Sequence, residues 1–295
     1  MPAEFVENFR DSDWWRKWHD RCGGLLQGPP LNTRIVDSGI GGGKALKVTI
    51  QQDDHYGVDF GHSFASSGIA PTKITFRYNI MFDDTWKILN GTEDPGRDDQ
   101  LLNQTGKLPG VAAVCGFGED DLGFKYAPAG AGGGWASPLS RPNGSNGWSA
   151  RMAFSAQEAG VRLGYQVYHV DQEAAFGPLM IWSRQNNPDS GLVSLNKWHA
   201  VGGFVRVNTP RQEPPQRKEE INGKLNGYLS SDPNDVATRH GVFDHLAWWS
   251  YGLRFCWDRL LPAQTFWFNV YHGGGAKASR ALNVYFSDIY LLYTD

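Results

Sequence analysis

A two-residue alternation of apolar and polar positions runs through most of the chain. Residues 73–82 show it best: Ile74, Phe76, Tyr78, Ile80 and Phe82 alternate with Lys73, Thr75, Arg77, Asn79 and Met81. That period is a strand's, and its length suits a large antiparallel sheet. Further strands are predicted over 44–50 (Leu46, Val48 and Ile50 inward), 57–64 (Val58, Phe60 and Phe64 on one side), 198–208, 264–271 and 281–293. Residues 147–177 read as a β-hairpin. Trp148, Ala150, Met152 and Phe154 are apolar on the first strand, residues 157–160 make the turn, and Val161, Leu163, Tyr165 and Val167 continue the apolar side.

The opposite face of that hairpin carries the candidate chemistry. Period two gathers Ser149 and Arg151 with Arg162, Gly164, Gln166 and Tyr168, so a hydroxyl, a guanidinium, an amide and a phenol share one side. A sheet with one solvated side needs polar residues there anyway, so a wet surface without function is the plain alternative. Against it, Arg151 and Tyr168 are large hydrogen-bonding groups, and small Gly164 is expected to leave ligand space between them.

Elsewhere Trp14 and Trp18 stand four apart, as on a short helix packed against a sheet sandwich. Residues 83–106 read as a long polar loop ending in GKLPG, 106–110, where proline and flanking glycines hold Lys107 beside a cleft. A solvated lysine is the alternative there. Glycines 130, 132, 133 and 134 mark a connector, and residues 211–220 a charged excursion. With 36 Gly and 16 Pro, turns and short strands are favoured over long helices. The fold class is therefore all-β, two packed antiparallel sheets. No linker or repeat divides the 295 residues, which are expected to form one domain with residues 1–43 as an extension packed on it.

The net charge of −3 provides no basic field for nucleic acid or an anionic membrane. No apolar run reaches the roughly 18 residues of a membrane helix. Cys22, Cys115 and Cys256 are too few and scattered for a disulfide framework or zinc site, and buried free thiols are expected. No histidine pair has metal-ligand spacing. The sequons at Asn90, Asn103 and Asn143 are near chance frequency.

GKLPG, then GWSAR, YQVYHVDQ, WHAVGGFVRVNTP, a GGG after a strand and a final YFSDIYL occur in an order that resembles polysaccharide lyase family 14, the alginate lyases, and the related glucuronan lyases. The resemblance runs from about residue 44 to the C-terminus. It implies a β-jelly roll with a concave cleft that cleaves a uronic-acid polysaccharide by β-elimination, leaving unsaturated oligosaccharides. The family's lysine falls on Lys107, its Ser-x-Arg pair on Ser149 and Arg151, and its Tyr-x-Tyr pair on Gln166 and Tyr168. The glutamine departs from the pattern. Tyr165 is a substitute only if a bulge turns it to the polar face. His55 resembles a position where glucuronan lyases keep an active-site histidine. The segment 222–262 is longer than its usual counterpart.

Such residues suit the chemistry. Abstracting the C5 proton of a uronate builds charge on its carboxylate, and Arg151 can grip that group in bidentate fashion. Tyr168 is the candidate base or acid if Arg151 and Lys107 lower its phenol from about 10. Lys107 is the rival base, and Gln166, His55, Tyr165 and Arg162 are candidate substrate contacts. His62 is a further candidate on its intrinsic pKa, whereas His169, His199 and His272 have less support. No cofactor is required, although fold analogy leaves room for a structural Ca²⁺ near Asp288. The implied partner is an acidic polysaccharide substrate, and the protein is expected to be a monomer. The start MPAEFVENFR lacks a signal peptide's apolar core, so a mature secreted form is expected from the substrate class, with a cytoplasmic protein the alternative. The competing functions are a carbohydrate-binding lectin and, with less support, a glycoside hydrolase. For the hydrolase, consecutive Glu119, Asp120 and Asp121 are poorly spaced, because two carboxylates must flank the scissile bond.

Overall fold

The structure is a computed structural model that describes residues 2–20, 24–89, 101–114, 141–174, 176–182, 190–210, 222–235, 246–257, 260–273 and 276–295. In chain order the strands are β1 (Ala3–Glu7), β2 (Thr33–Val36), β3 (Ala45–Ile50), β4 (Tyr56–Ser63), β5 (Lys73–Phe82), β6 (Thr105–Ala113), β7 (Trp148–Gln157), β8 (Gly160–Tyr168), β9 (Leu179–Ile181), β10 (Leu192–Val193), β11 (His199–Arg206), β12 (Gly223–Ser230), β13 (Leu246–Leu253), β14 (Thr265–His272) and β15 (Leu282–Thr294). They form two antiparallel sheets in jelly-roll fashion. One runs β13-β12-β11-β5-β15-β3-β2 with β1 added on β15; the other runs β10-β8-β7-β6-β14-β4 with β9 added on β8. Among the described residues no helix is long and apolar enough to cross a membrane.

The core lies between the sheets. From the seven-stranded sheet Phe60, Leu108, Val111, Met152, Phe154, Leu163, Phe266 and Phe268 are fully buried, facing Phe76, Ile80 and Phe286 of the other. Alternation decides which residues enter it, because each strand offers every second side chain to the partner sheet. β5 matches the predicted strand at both ends, and the hairpin β7–β8 turns at Glu158 and Ala159 with Gln157 opposite Gly160.

Two expectations are corrected. Residues 1–43 do not merely pack on the sandwich: β1 pairs with β15 and β2 with β3, so they extend the eight-stranded sheet. Trp14 opens a single 3-10 turn, Trp14–Lys17, and both Trp14 and Trp18 are buried against Phe60. GKLPG does not end a loop but lies inside β6, although proline usually demotes a strand. A register shift between Lys107 and Gly110 absorbs Pro109, whose carbonyl accepts from the Tyr78 hydroxyl at 3.3 Å. Glu119 to Asp121, glycines 130 to 134, residues 211–220, Cys22 and Cys115 lie outside the described residues. Cys256 is a buried free thiol, with burial pushing its pKa up to about 11.

Candidate active site

The outward face of the seven-stranded sheet, away from the core, collects most of the predicted side chains. Register does the gathering. Arg151 on β7 lies opposite Gln166 on β8 and Gly110 on β6, and Ser149 lies opposite Tyr168. Ala153, two residues along the same face from Arg151, pairs with Lys107, which in turn pairs with Tyr271 on β14. Gly110 is needed where β6 and β7 approach, since a Cβ there would lie 2.5 Å from the Ala150 carbonyl oxygen and the Arg151 Cα.

Arg151 is the hub. Its guanidinium carbon stands 4.0 Å from the centroid of the Trp267 ring, and Nη1 donates to Asn269 Oδ1 at 3.0 Å. Trp267 Nε1 donates to Asp59 Oδ1 at 2.5 Å, and Asn269 Nδ2 to the Val58 carbonyl at 3.3 Å. Strands β14 and β4 thus fix the guanidinium by its face and by one edge. The resemblance implied a concave cleft for the family residues, but Ser149, Arg151 and Tyr168 are 0%, 2% and 0% exposed. They are dry without being in the inter-sheet core. Trp267 packs with Ala112 and Val114 in a separate cluster on the outward side.

The cover over Tyr168 is local. After β8 the chain doubles back, and Gly177 crosses so closely that a Cβ would lie 2.1 Å from the Val167 carbonyl oxygen and 2.8 Å from Tyr168 Cδ2. Gln166 Nε2 donates to the Gly177 carbonyl at 3.2 Å, so the amide at the departing family position holds this strap. Burial raises the Tyr168 pKa more than Arg151 lowers it, which corrects the expectation of a phenolate. A backbone hydrogen bond from Gly177 also lowers it, without reversing the direction.

Lys107 is different. Burial, and then the charge of Arg151, lower its amine to about 7, and Nζ lies 5.1 Å from the Tyr271 ring centroid. Tyr271 is half-buried, stacks on His55 at 5.5 Å and meets Tyr56 edge-on at 5.0 Å. His55 is thus brought to the site through Tyr271, with Nδ1 3.0 Å from the His272 carbonyl oxygen.

Three expectations fail here. Tyr165 belongs to the core: it is fully buried, and its hydroxyl donates to the Asn226 carbonyl at 3.0 Å. No bulge interrupts β8 against β7, so Tyr165 stays on the apolar side. Arg162 keeps the outward face, opposite Ser155 and Leu192 and two residues along β8 from Gly164, which lies opposite Ala153. The absent Gly164 side chain leaves room for β9, not for a ligand, since a Cβ would lie 2.5 Å from the Met180 carbonyl oxygen. His62 is in the core beside Phe5 and Tyr293, and burial lowers it to about 4. Asp288 accepts from Asn79 Nδ2 at 3.2 Å, and the described residues contain no cluster of three metal-binding side chains.

Trp267, Asn269 and Tyr271 were missed by sequence reasoning. Their signal was present, since they alternate with Phe266, Phe268 and Val270; what was missing was that β14 would lie beside β6.

No family model and no curated protein matches the chain. Solved structures do. A mutant of alginate lyase Aly36B in complex with alginate trisaccharide matches with a TM-score of 0.63 at 14% identity, over 100% of this chain and 99% of that one. Its fold is that of the jelly-roll lyases. A marine PL-14 alginate lyase from Aplysia kurodai matches at 0.56 and 14%, over 89% of this chain and 87% of that one. An endo-β-1,4-glucuronan lyase from the fungus Trichoderma reesei matches at 0.52 and 11%, over 99% and 95%. At these identities the likeness is one of fold, and the activity has to be argued from the site.

Proposed function

We propose that the chain is a polysaccharide lyase that cleaves a uronic-acid polymer, alginate or glucuronan in type, by β-elimination. The observation that carries this is the placing of Lys107, an amine lowered to about 7, beside the fixed guanidinium of Arg151. Elimination needs that pair. A cation must neutralise the uronate carboxylate so that the C5 proton becomes acidic, and a base near neutrality must take it. Arg151 is the clamp, and Ser149 and the covered, protonated phenol of Tyr168 stand beside it on the same face. Lys107 in its amine form is the base. Each step is carried by a side chain, so a chelator is expected to leave the rate unchanged. A polymeric substrate favours a place of action outside the cell.

The test is to incubate the protein with polymannuronate, polyguluronate, glucuronan and a neutral glucan and to follow ultraviolet absorbance. Growth of the C4=C5 chromophore on a polyuronate alone is expected. Binding without chromophore would make the protein a lectin; new reducing ends without chromophore would make it a hydrolase.

A further inference from the structure

We infer that Tyr271 is the proton donor to the leaving oxygen, so that the phenol absent at Gln166 is supplied from β14. The inference rests on the lyase reading and deepens it. Two phenols flank Arg151 on the outward face, and they differ in access. Tyr168 is fully covered by the strap at Gly177, whereas Tyr271 is half-buried. Tyr271 is also the phenol paired in register with the base. The Lys107 ammonium lies 5.1 Å from its ring centroid, and the His55 ring stacks on it at an interplanar angle of 15°. Gln166 cannot fill the role, because an amide has no proton to give at neutral pH and its nitrogen is engaged by Gly177.

The step balances. The C5 proton moves to the neutral Lys107 amine, and the electrons of the C5–H bond form the C4=C5 double bond. The C4–O4 bond breaks as O4 takes the Tyr271 phenolic proton. The resulting ammonium and phenolate are neighbours, so the proton returns from Lys107 to Tyr271, directly or through one water, and the enzyme is reset. Burial first, with the neighbouring phenol of Tyr56, raises the Tyr271 pKa, and Arg151 opposes it; the group therefore stays protonated between turnovers, as a donor must.

The test compares Tyr271→Phe with Tyr168→Phe in the full chain, measuring chromophore formation, polyuronate affinity and thermal unfolding. Tyr271→Phe keeps the ring on which Lys107 and His55 rest. It should lower kcat about 100- to 10,000-fold, the usual worth of a general acid, with affinity and melting temperature near wild type. Tyr168→Phe removes a covered hydroxyl and should lower kcat far less. If the wild type forms the chromophore and Tyr271→Phe keeps its kcat, or Tyr168→Phe suffers the larger loss of kcat, the assignment is wrong while the lyase reading stands. If the wild type forms none, the lyase reading itself has failed. A loss of melting temperature matching the loss of rate in Tyr271→Phe would make the residue structural and overturn the assignment.

Discussion

On one face of β7, Trp148, Ala150, Met152 and Phe154 are fully buried in the inter-sheet core; on the other, Ser149, Arg151, Ala153 and Ser155 are almost as dry. Equal burial has opposite consequences. Each large apolar side chain of the inner face contributes about 1.5–3 kcal/mol by leaving water. Even its phenols are served, since the Tyr78 hydroxyl meets Met152 Sδ at 2.9 Å and that of Tyr165 meets the Asn226 carbonyl. The outer face instead withdraws a guanidinium, an amine and a phenol from water, which costs free energy unless partners offset it. Arg151 has Trp267 and Asn269 for that purpose, and Tyr168 has the backbone of Gly177. The inner face holds the fold together, and the outer face uses part of that stability to hold one amine, Lys107, near a pKa of 7.

The strongest way to break this comparison is Lys107→Met. Removing the base should lower elimination by about 100- to 10,000-fold while the sandwich remains folded. In the wild type kcat/KM should rise with pH through about 7, since the amine must be deprotonated to act. Activity surviving the substitution would show that the outer face pays its desolvation cost for nothing chemical. Met152→Ala examines the other side of the same strand. A core truncation should cost about 2–5 kcal/mol in urea unfolding, with kcat per folded molecule little changed because the outward face is untouched.

A third measurement sharpens the geometry of the outer face. Lys107 and Tyr271 rise from paired positions of neighbouring strands, so they reach the same side of a sugar ring laid across them. In mannuronate and glucuronate the C5 hydrogen and O4 lie on one side of the ring, and in guluronate and galacturonate on opposite sides. The first two polymers should be cut clearly faster. A preference for polyguluronate would separate the base from the acid and send the search for the donor elsewhere.

The inner face was the legible one. Alternation alone placed β5 and both strands of the β7–β8 hairpin, because a residue's side of a strand follows from parity and the core rewards one side. Parity also separated Tyr165 from Tyr168. It could not show how wet the other side would be. That depends on contacts distant in sequence: the return of Gly177 over Tyr168, and β14 bringing Trp267, Asn269 and Tyr271 beside residues 107–110. Lys107 was singled out within a motif, yet its strand was taken for a loop because Pro109 masks the period at the bulge. Its lowered pKa is a property of the assembled face.

The smallest effect isolates what that lowered pKa costs. The Lys107 amine falls from 10.5 to about 7 on folding, so between these values the unfolded chain holds a proton that the folded protein lacks. Stability must rise with pH across that window, with the full penalty present below about 7 and none above 10.5. Lys107→Met keeps much of the stem's apolar packing and removes the amine. Its melting temperature should therefore exceed that of the wild type at pH 6, and the gap should close as pH rises from 7 toward 10.5. His62, held near 4 and losing stability as pH falls from 6.5, is present in both proteins and cancels in the difference. A gap that stayed constant with pH would mean that Lys107 is not held neutral by burial, and the outer face would then differ from the inner one only in composition. A gap of opposite sign would mean that the ammonium over Tyr271 stabilises the fold, leaving the elimination without its base.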